Sequence, residues 1–223
     1  MALSASLPYI TSRYDGPYPD NPDLDNGDFH GGFQNLAFQA RYLAVTRPLV
    51  ITPYFALVIP SHAYETLGHT AIGTNLMEVQ FGVYLGKLLT FVSDNLVAQV
   101  GYDYVNIETH HDIKANQSNL DVSLGYFVSD AISVTTVLSY LKTNGVIDWL
   151  DINDEATFHA HDQHAAASYL HLGGSVSIDV TDALGFSVGY MRTLWGQNTH
   201  EIEAVTIGTT WNFELPPLSR TEE

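Results

Sequence analysis

A short phrase recurs along this chain, and each copy sets up a β-hairpin. Ser93-Asp94-Asn95-Leu96 leads into Val97-Ala98-Gln99-Val100-Gly101-Tyr102, Ser129-Asp130-Ala131-Ile132 leads into an alternating run ending at Tyr140, and Thr181-Asp182-Ala183-Leu184 leads into Gly185-Phe186-Ser187-Val188-Gly189-Tyr190. Thr46-Arg47-Pro48-Leu49 is a looser fourth copy. A polar turn followed by an alternating strand that ends near an aromatic, repeated in this way, points to one supersecondary unit used several times. Strands of this kind, joined by such turns, meet the requirements of a membrane-spanning β-barrel.

Alternation predicts ten strands, over 2–10, 33–45, 49–60, 76–87, 96–108, 118–128, 132–142, 169–180, 184–194 and 201–213. Most reach the roughly 9–11 residues that cross a bilayer at a tilt. Their faces separate. Val79, Phe81, Val83 and Leu85 oppose Glu78, Gln80, Gly82 and Gly86, while Val100, Tyr102 and Tyr104 oppose Gln99, Gly101 and Asp103. Leu120, Val122, Leu124 and Tyr126 oppose Asn119, Asp121, Ser123 and Gly125. Strand 49–60 is apolar on both faces and carries Pro53, so its orientation stays open.

Connection lengths alternate. Short turns join strands 2–3, 4–5, 6–7 and 8–9, whereas long loops (11–32, 61–75, 109–117 and 143–168) join strands 1–2, 3–4, 5–6 and 7–8, and the shorter connection 195–200 lies on the same side as the long loops. Short turns on one side and long loops on the other is the asymmetry of outer-membrane barrels, with the short turns periplasmic. Alternation alone does not separate a barrel from a soluble sandwich, because either can have one apolar face. Aromatic placement favours the barrel: Tyr42, Tyr104, Tyr126, Tyr140, Tyr190, Trp211 and Phe213 fall near strand ends, where rings form interfacial girdles. The expected fold is therefore all-β, an antiparallel up-and-down transmembrane β-barrel. Residues 1–213 make a single domain of about ten strands, and residues 214–223 form a periplasmic tail. Met1 is followed directly by alternating residues, with no signal segment. The chain is on that ground expected to be a mature or a truncated form, and a missing upstream hairpin would raise the count to twelve.

No run of 18 or more apolar residues is present, which excludes a transmembrane helix and leaves a barrel untouched. Cysteine is absent, so disulfides, thiolate metal sites and a Cys nucleophile are excluded. The formal net charge of −17 makes nucleic acid a poor partner. The acids gather in predicted loops, Asp15, Asp20, Asp23, Asp25 and Asp28 in one and Asp148, Asp151, Asp154, Glu155 and Asp162 in another. Two readings stand for them: solvation of long loops, and contact with divalent or lipopolysaccharide-bound cations at a cell surface.

The closing strand Thr206-Ile207-Gly208-Thr209-Thr210-Trp211-Asn212-Phe213 resembles the C-terminal assembly signal of Gram-negative outer-membrane barrels, although here a tail, Glu214–Glu223, follows the aromatic. Ile51-Thr52-Pro53-Tyr54-Phe55-Ala56-Leu57-Val58-Ile59-Pro60-Ser61 is similar to a segment of the transporter-like barrels of the MetA-pathway of phenol degradation. In that family the proline is commonly followed by a Thr-Gly type turn, and here by Ser61-His62. The resemblance implies residence in the outer membrane among lipid and lipopolysaccharide, recognition of the last strand by the barrel assembly machinery, and a transport role.

The polar positions expected to face the lumen are Arg41, Glu78, Gln80, Gln99, Asp103 and Asp121; Arg41, the one cation among them, either bridges the acids in a structural plug or lines a path with them. No cofactor is expected. His159, His161 and His164, with His110-His111-Asp112 in another loop, offer imidazole and carboxylate donors, but a loose spacing in a long loop does not define a metal site. Asn21–Asp28 looks calcium-like yet misses the EF-hand register. Ser168 and His171, with Asp162 nearby, invite a lipid-hydrolase reading without any nucleophile elbow. The favoured function is passive transport or binding of a small molecule, apolar ones included. The alternatives are a structural or surface-interaction barrel with a plugged lumen and, less favoured, an outer-membrane lipid hydrolase. The chain is not expected to be an enzyme.

Overall fold

The structure is a computed structural model and describes residues 1–144, 166–199 and 201–211. Among the described residues the elements are all strands: β1 (Ala2–Ser6), β2 (Tyr9–Ser12), β3 (His30–Phe33), β4 (Asn35–Arg41), β5 (Val50–Pro60), β6 (Glu78–Leu88), β7 (Leu96–Ile107), β8 (Asn116–Ser129), β9 (Ile132–Asn144), β10 (Ser168–Asp179), β11 (Leu184–Gln197) and β12 (Glu203–Trp211). Ten of them form one sheet in the order β1-β4-β5-β6-β7-β8-β9-β10-β11-β12, and every pairing is antiparallel. This is an up-and-down meander. β1 and β12 each pair on one side only, so the described sheet is not closed.

The first predicted hairpin is subdivided. Strand 2–10 breaks at Leu7-Pro8 into β1 and β2, with β2 running on to Ser12, and β3 begins at His30, ahead of the predicted strand 33–45, and is separated from β4 by Gln34. The outer halves, β2 and β3, pair as a separate two-stranded ribbon, and Gln34 N–H donates to the Pro8 carbonyl at the join. Pro8 has no N–H to give a ladder, which is why the break falls there.

The recurring turn phrase has a common chemistry. In the three closer copies the first hydroxyl accepts the backbone N–H two residues on: Ser93 Oγ from Asn95 at 3.2 Å, Ser129 Oγ from Ala131 at 3.3 Å, and Thr181 Oγ1 from Ala183 at 3.2 Å. Ser and Thr favour such turns because the side chain substitutes for a backbone acceptor. These turns lie at one end of the sheet with the 42–49 connection, and the long connections lie at the other.

The two faces of the sheet decide between sandwich and barrel. Phe38, Phe55, Phe81, Val100, Val122, Leu124, Leu138, Leu172, Val188 and Ile207 share one face and are all exposed. Among the described residues no second layer covers them. The buried apolar residues among those described are few, Leu76, Val105 and Ile107 forming one small cluster. A water-soluble sandwich would bury this face, whereas a membrane barrel turns it to lipid. The predicted girdle residues Tyr42, Tyr126, Tyr190 and Trp211 are exposed; Tyr104 and Tyr140 are half-buried, and Phe213 lies outside the described residues.

Candidate functional site

The opposite, polar face carries the candidate site. Register places all six predicted lumen residues on it. One row across the sheet reads Arg41, Tyr54, Gly82, Asp103, Asn119 and Leu141. A second reads Thr52, Tyr84, Gly101, Asp121, Ser139, His171 and Thr193. Glu78 and Gln80 are two residues apart on β6, and Gln99 stands opposite Gly86 on one side and Ser123 on the other.

Within this face Glu78 and Asp103 are held by neutral donors. Gln80 Nε2 donates to Glu78 Oε2 at 3.0 Å, and Asn119 Nδ2 donates to Asp103 Oδ2 at 2.8 Å. The Tyr54 hydroxyl lies against the Asp103 carboxylate and Tyr84. The Tyr54 and Tyr84 rings stack with centroids 4.9 Å apart, inclined by 16°. Each lies over a glycine of the next strand, Tyr54 over Gly82 and Tyr84 over Gly101. Side-by-side β-strands leave no room for such a ring unless the neighbour lacks a Cβ, so the tyrosines follow the wall rather than project from it. Further round, Tyr169 and His171 stack with centroids 4.1 Å apart.

Arg41 does not bridge the acids. It is exposed, is the last residue of β4, and pairs with no described acid. Asp103 shares its row but lies three strand spacings away, roughly 14 Å at about 4.8 Å per strand. Arg41 was expected inside a longer strand, 33–45; β4 ends at Arg41, and that puts it on the rim. Arg41 instead lines a cleft of about 470 Å³ whose wall also includes Met1, Leu43, Thr52, Tyr84 and Gln99.

Tyr54, Tyr84, Asn119 and Tyr169 were not among the predicted site residues. Tyr84 was legible as a polar-face position because it lies midway between Gly82 and Gly86. Tyr54 was not, because strand 49–60 is apolar on both faces and only pairing with Arg41 orients it.

The long loops form a second constellation. Asp25, buried, accepts four backbone N–H groups: Asp20, Asn21 and His69 on Oδ2 at 3.0, 3.2 and 3.1 Å, and Thr70 on Oδ1 at 3.2 Å. Burial alone would raise its pKa, but the bonds from His69, Asn21, Asp20 and Thr70 outweigh it and hold the carboxyl below its ordinary value. Asp25 thus ties the 13–29 connection to the 61–77 connection. Thr70 Oγ1 donates to the Leu24 carbonyl, and the Tyr14 ring stacks on His69 at 4.1 Å. The calcium-like segment is therefore a loop anchor whose central carboxylate already accepts protein N–H groups.

His110 and His111 meet edge to face at 4.2 Å in the 108–115 connection. Burial, then His111, lowers the His110 pKa, with Glu108 opposing. His159, His161, His164 and Asp162 lie outside the described residues. Ser168 and His171 are three apart on β10 and so project to opposite faces of the sheet, which removes the basis for a hydrolase pair.

No family model and no curated protein matches the chain. Among solved structures, it is similar to the crystal structure of an outer membrane channel from Pseudomonas putida F1 at TM-score 0.66 and 14% identity, covering 93% of this chain and 75% of that one. At that identity the likeness shows the fold. The chain is thus an all-β, antiparallel up-and-down protein with the fold of an outer-membrane barrel.

Proposed function

We propose that this chain is a passive outer-membrane channel, with the polar face as its lumen and the short turns in the periplasm. The observation that carries this reading is the inverted distribution of polarity: large apolar side chains exposed on one whole face of a ten-stranded sheet, and acids, amides and tyrosines on the other. In hydrocarbon the outer edges of β1 and β12 need hydrogen-bond partners, since each unsatisfied group costs several kcal/mol. The fold likeness to an outer membrane channel supports the same reading. The segment Ile51–Ser61 further supports kinship with the MetA-pathway transporter-like barrels.

The tyrosines favour an open interior over a plug. Tyr54 and Tyr84 occupy the space left by Gly82 and Gly101, and Glu78 and Asp103 accept from amide side chains on the same wall. A liposome-swelling assay tests this. Vesicles containing the folded protein should swell in small neutral solutes faster than empty vesicles. Equal rates, with the protein folded and inserted, would favour the plugged structural barrel.

A further inference from the structure

Arg41 is the one Lys or Arg on the polar face of the described sheet. Lys87, Lys142 and Arg192 fall on the apolar face by register, and Arg13, Arg47 and Lys114 lie in connections. In a chain with 25 acidic residues, Arg41 nonetheless pairs with no described acid. It opens instead onto the cleft of about 470 Å³ at the short-turn end of the polar face, whose lining includes Thr52, Tyr84 and Gln99.

We propose that this cleft is a binding site for a small monocarboxylate. The planar guanidinium presents a donor fork that matches a carboxylate with two parallel bonds. The Thr52 and Tyr84 hydroxyls and the Gln99 amide add donors around the same space. Leu43 and the Tyr84 ring supply apolar surface for a short hydrocarbon body. The charge of the surroundings limits the class. Asp103, Asp121 and Glu78 share this face and repel added negative charge, which weighs most against dianions such as phosphate. A cation is repelled by Arg41 itself. The site uses the polar face proposed above as the lumen but requires no conduction, so its test is independent of whether the barrel is open.

Calorimetric titration of the folded protein in detergent micelles reads the binding directly. The probes are butyrate, butan-1-ol and butylamine, of equal body size and different charge, with inorganic phosphate as the dianion. Butyrate should bind at least tenfold more tightly than the other three. Arg41→Gln, which keeps hydrogen-bonding capacity and removes the charge, should weaken butyrate about tenfold or more and leave butan-1-ol unchanged. Gln99→Ala should weaken butyrate by a smaller factor, and it serves as the second variant if Arg41→Gln fails to show the gel mobility of a folded barrel. Butyrate binding no tighter than butan-1-ol, or unaffected in both variants, overturns the site. Tighter binding of phosphate overturns the monocarboxylate assignment.

Discussion

The Tyr54 ring occupies the place where a Gly82 side chain would stand: a Cβ at Gly82 would lie 2.3 Å from Tyr54 Cε1. The two residues face each other across β5 and β6, and the absent methyl is what lets the ring lie along the wall. Gly82→Val should expel Tyr54 toward the interior, break its stack on Tyr84 and cost about 1–3 kcal/mol by overpacking. Adding Tyr54→Ala should recover much of that loss. Urea unfolding followed by heat-modifiable gel mobility measures both, and additive losses in the double variant would show that the two residues do not compete for one space.

The lipid-facing assignment gives a contrast between neighbours. Val100→Arg and Leu124→Arg should each cost roughly 2–4 kcal/mol near the bilayer midplane, whereas Ser123→Asn on the polar face should be mild. Gly101→Ser also falls on the polar face, but Tyr84 carbons lie 3.0 Å from where its Cβ would be, so it should be more damaging than Ser123→Asn. Comparing urea midpoints of the four variants checks this. Tolerance of both arginines would mean that the exposed apolar face is not in hydrocarbon.

Asp25 should control the coupling of two long loops. Asp25→Ala leaves four backbone N–H groups without their acceptor, and local opening of 13–29 and 61–77 should become easier by on the order of 2 kcal/mol. Because the folded pKa lies below the ordinary value of 3.8, the carboxylate's contribution is fully present above that value and is lost as pH falls through the lower folded pKa. Hydrogen exchange of the His69 and Thr70 amides should therefore show protection that is constant from pH 7 to about 5, after correction for intrinsic rates. A loss of protection within that range would contradict the anchor.

Topology follows from connection length. A cysteine at Asp112, in the 108–115 connection, should react with an impermeant maleimide on intact cells, and one at Asp130, in the two-residue turn between β8 and β9, should react only after the outer membrane is permeabilised. Equal labelling at both positions would invert or dissolve the assigned orientation.

Much of this fold was legible because strand period and turn chemistry are local. The phrase at Ser93, Ser129 and Thr181 marks hairpins through a hydroxyl-to-backbone bond that needs nothing from the rest of the chain. Alternation placed Glu78, Gln80, Gln99, Asp103 and Asp121 on one face because side-chain direction in a strand has period two. What was not legible depends on neighbours across the sheet. Arg41 and Asp103 share a face yet are separated by two intervening strands, a distance set by strand order and not by spacing in the sequence. The break at Pro8 and Gln34 also escaped notice, since alternation runs through both sites and only the missing N–H of Pro8 hinted at it. Asp25 looked like a cation ligand because its composition is that of one, and only its backbone partners from 69–70 show it as an anchor.

The most direct test of the channel is the current carried by the purified, folded protein in a planar lipid bilayer. The account predicts discrete conductance steps on insertion of protein that shows heat-modifiable mobility, with current rising in proportion to voltage at low voltage. Insertion of folded protein without any step in current would contradict an open lumen along the Tyr54–Tyr84 wall.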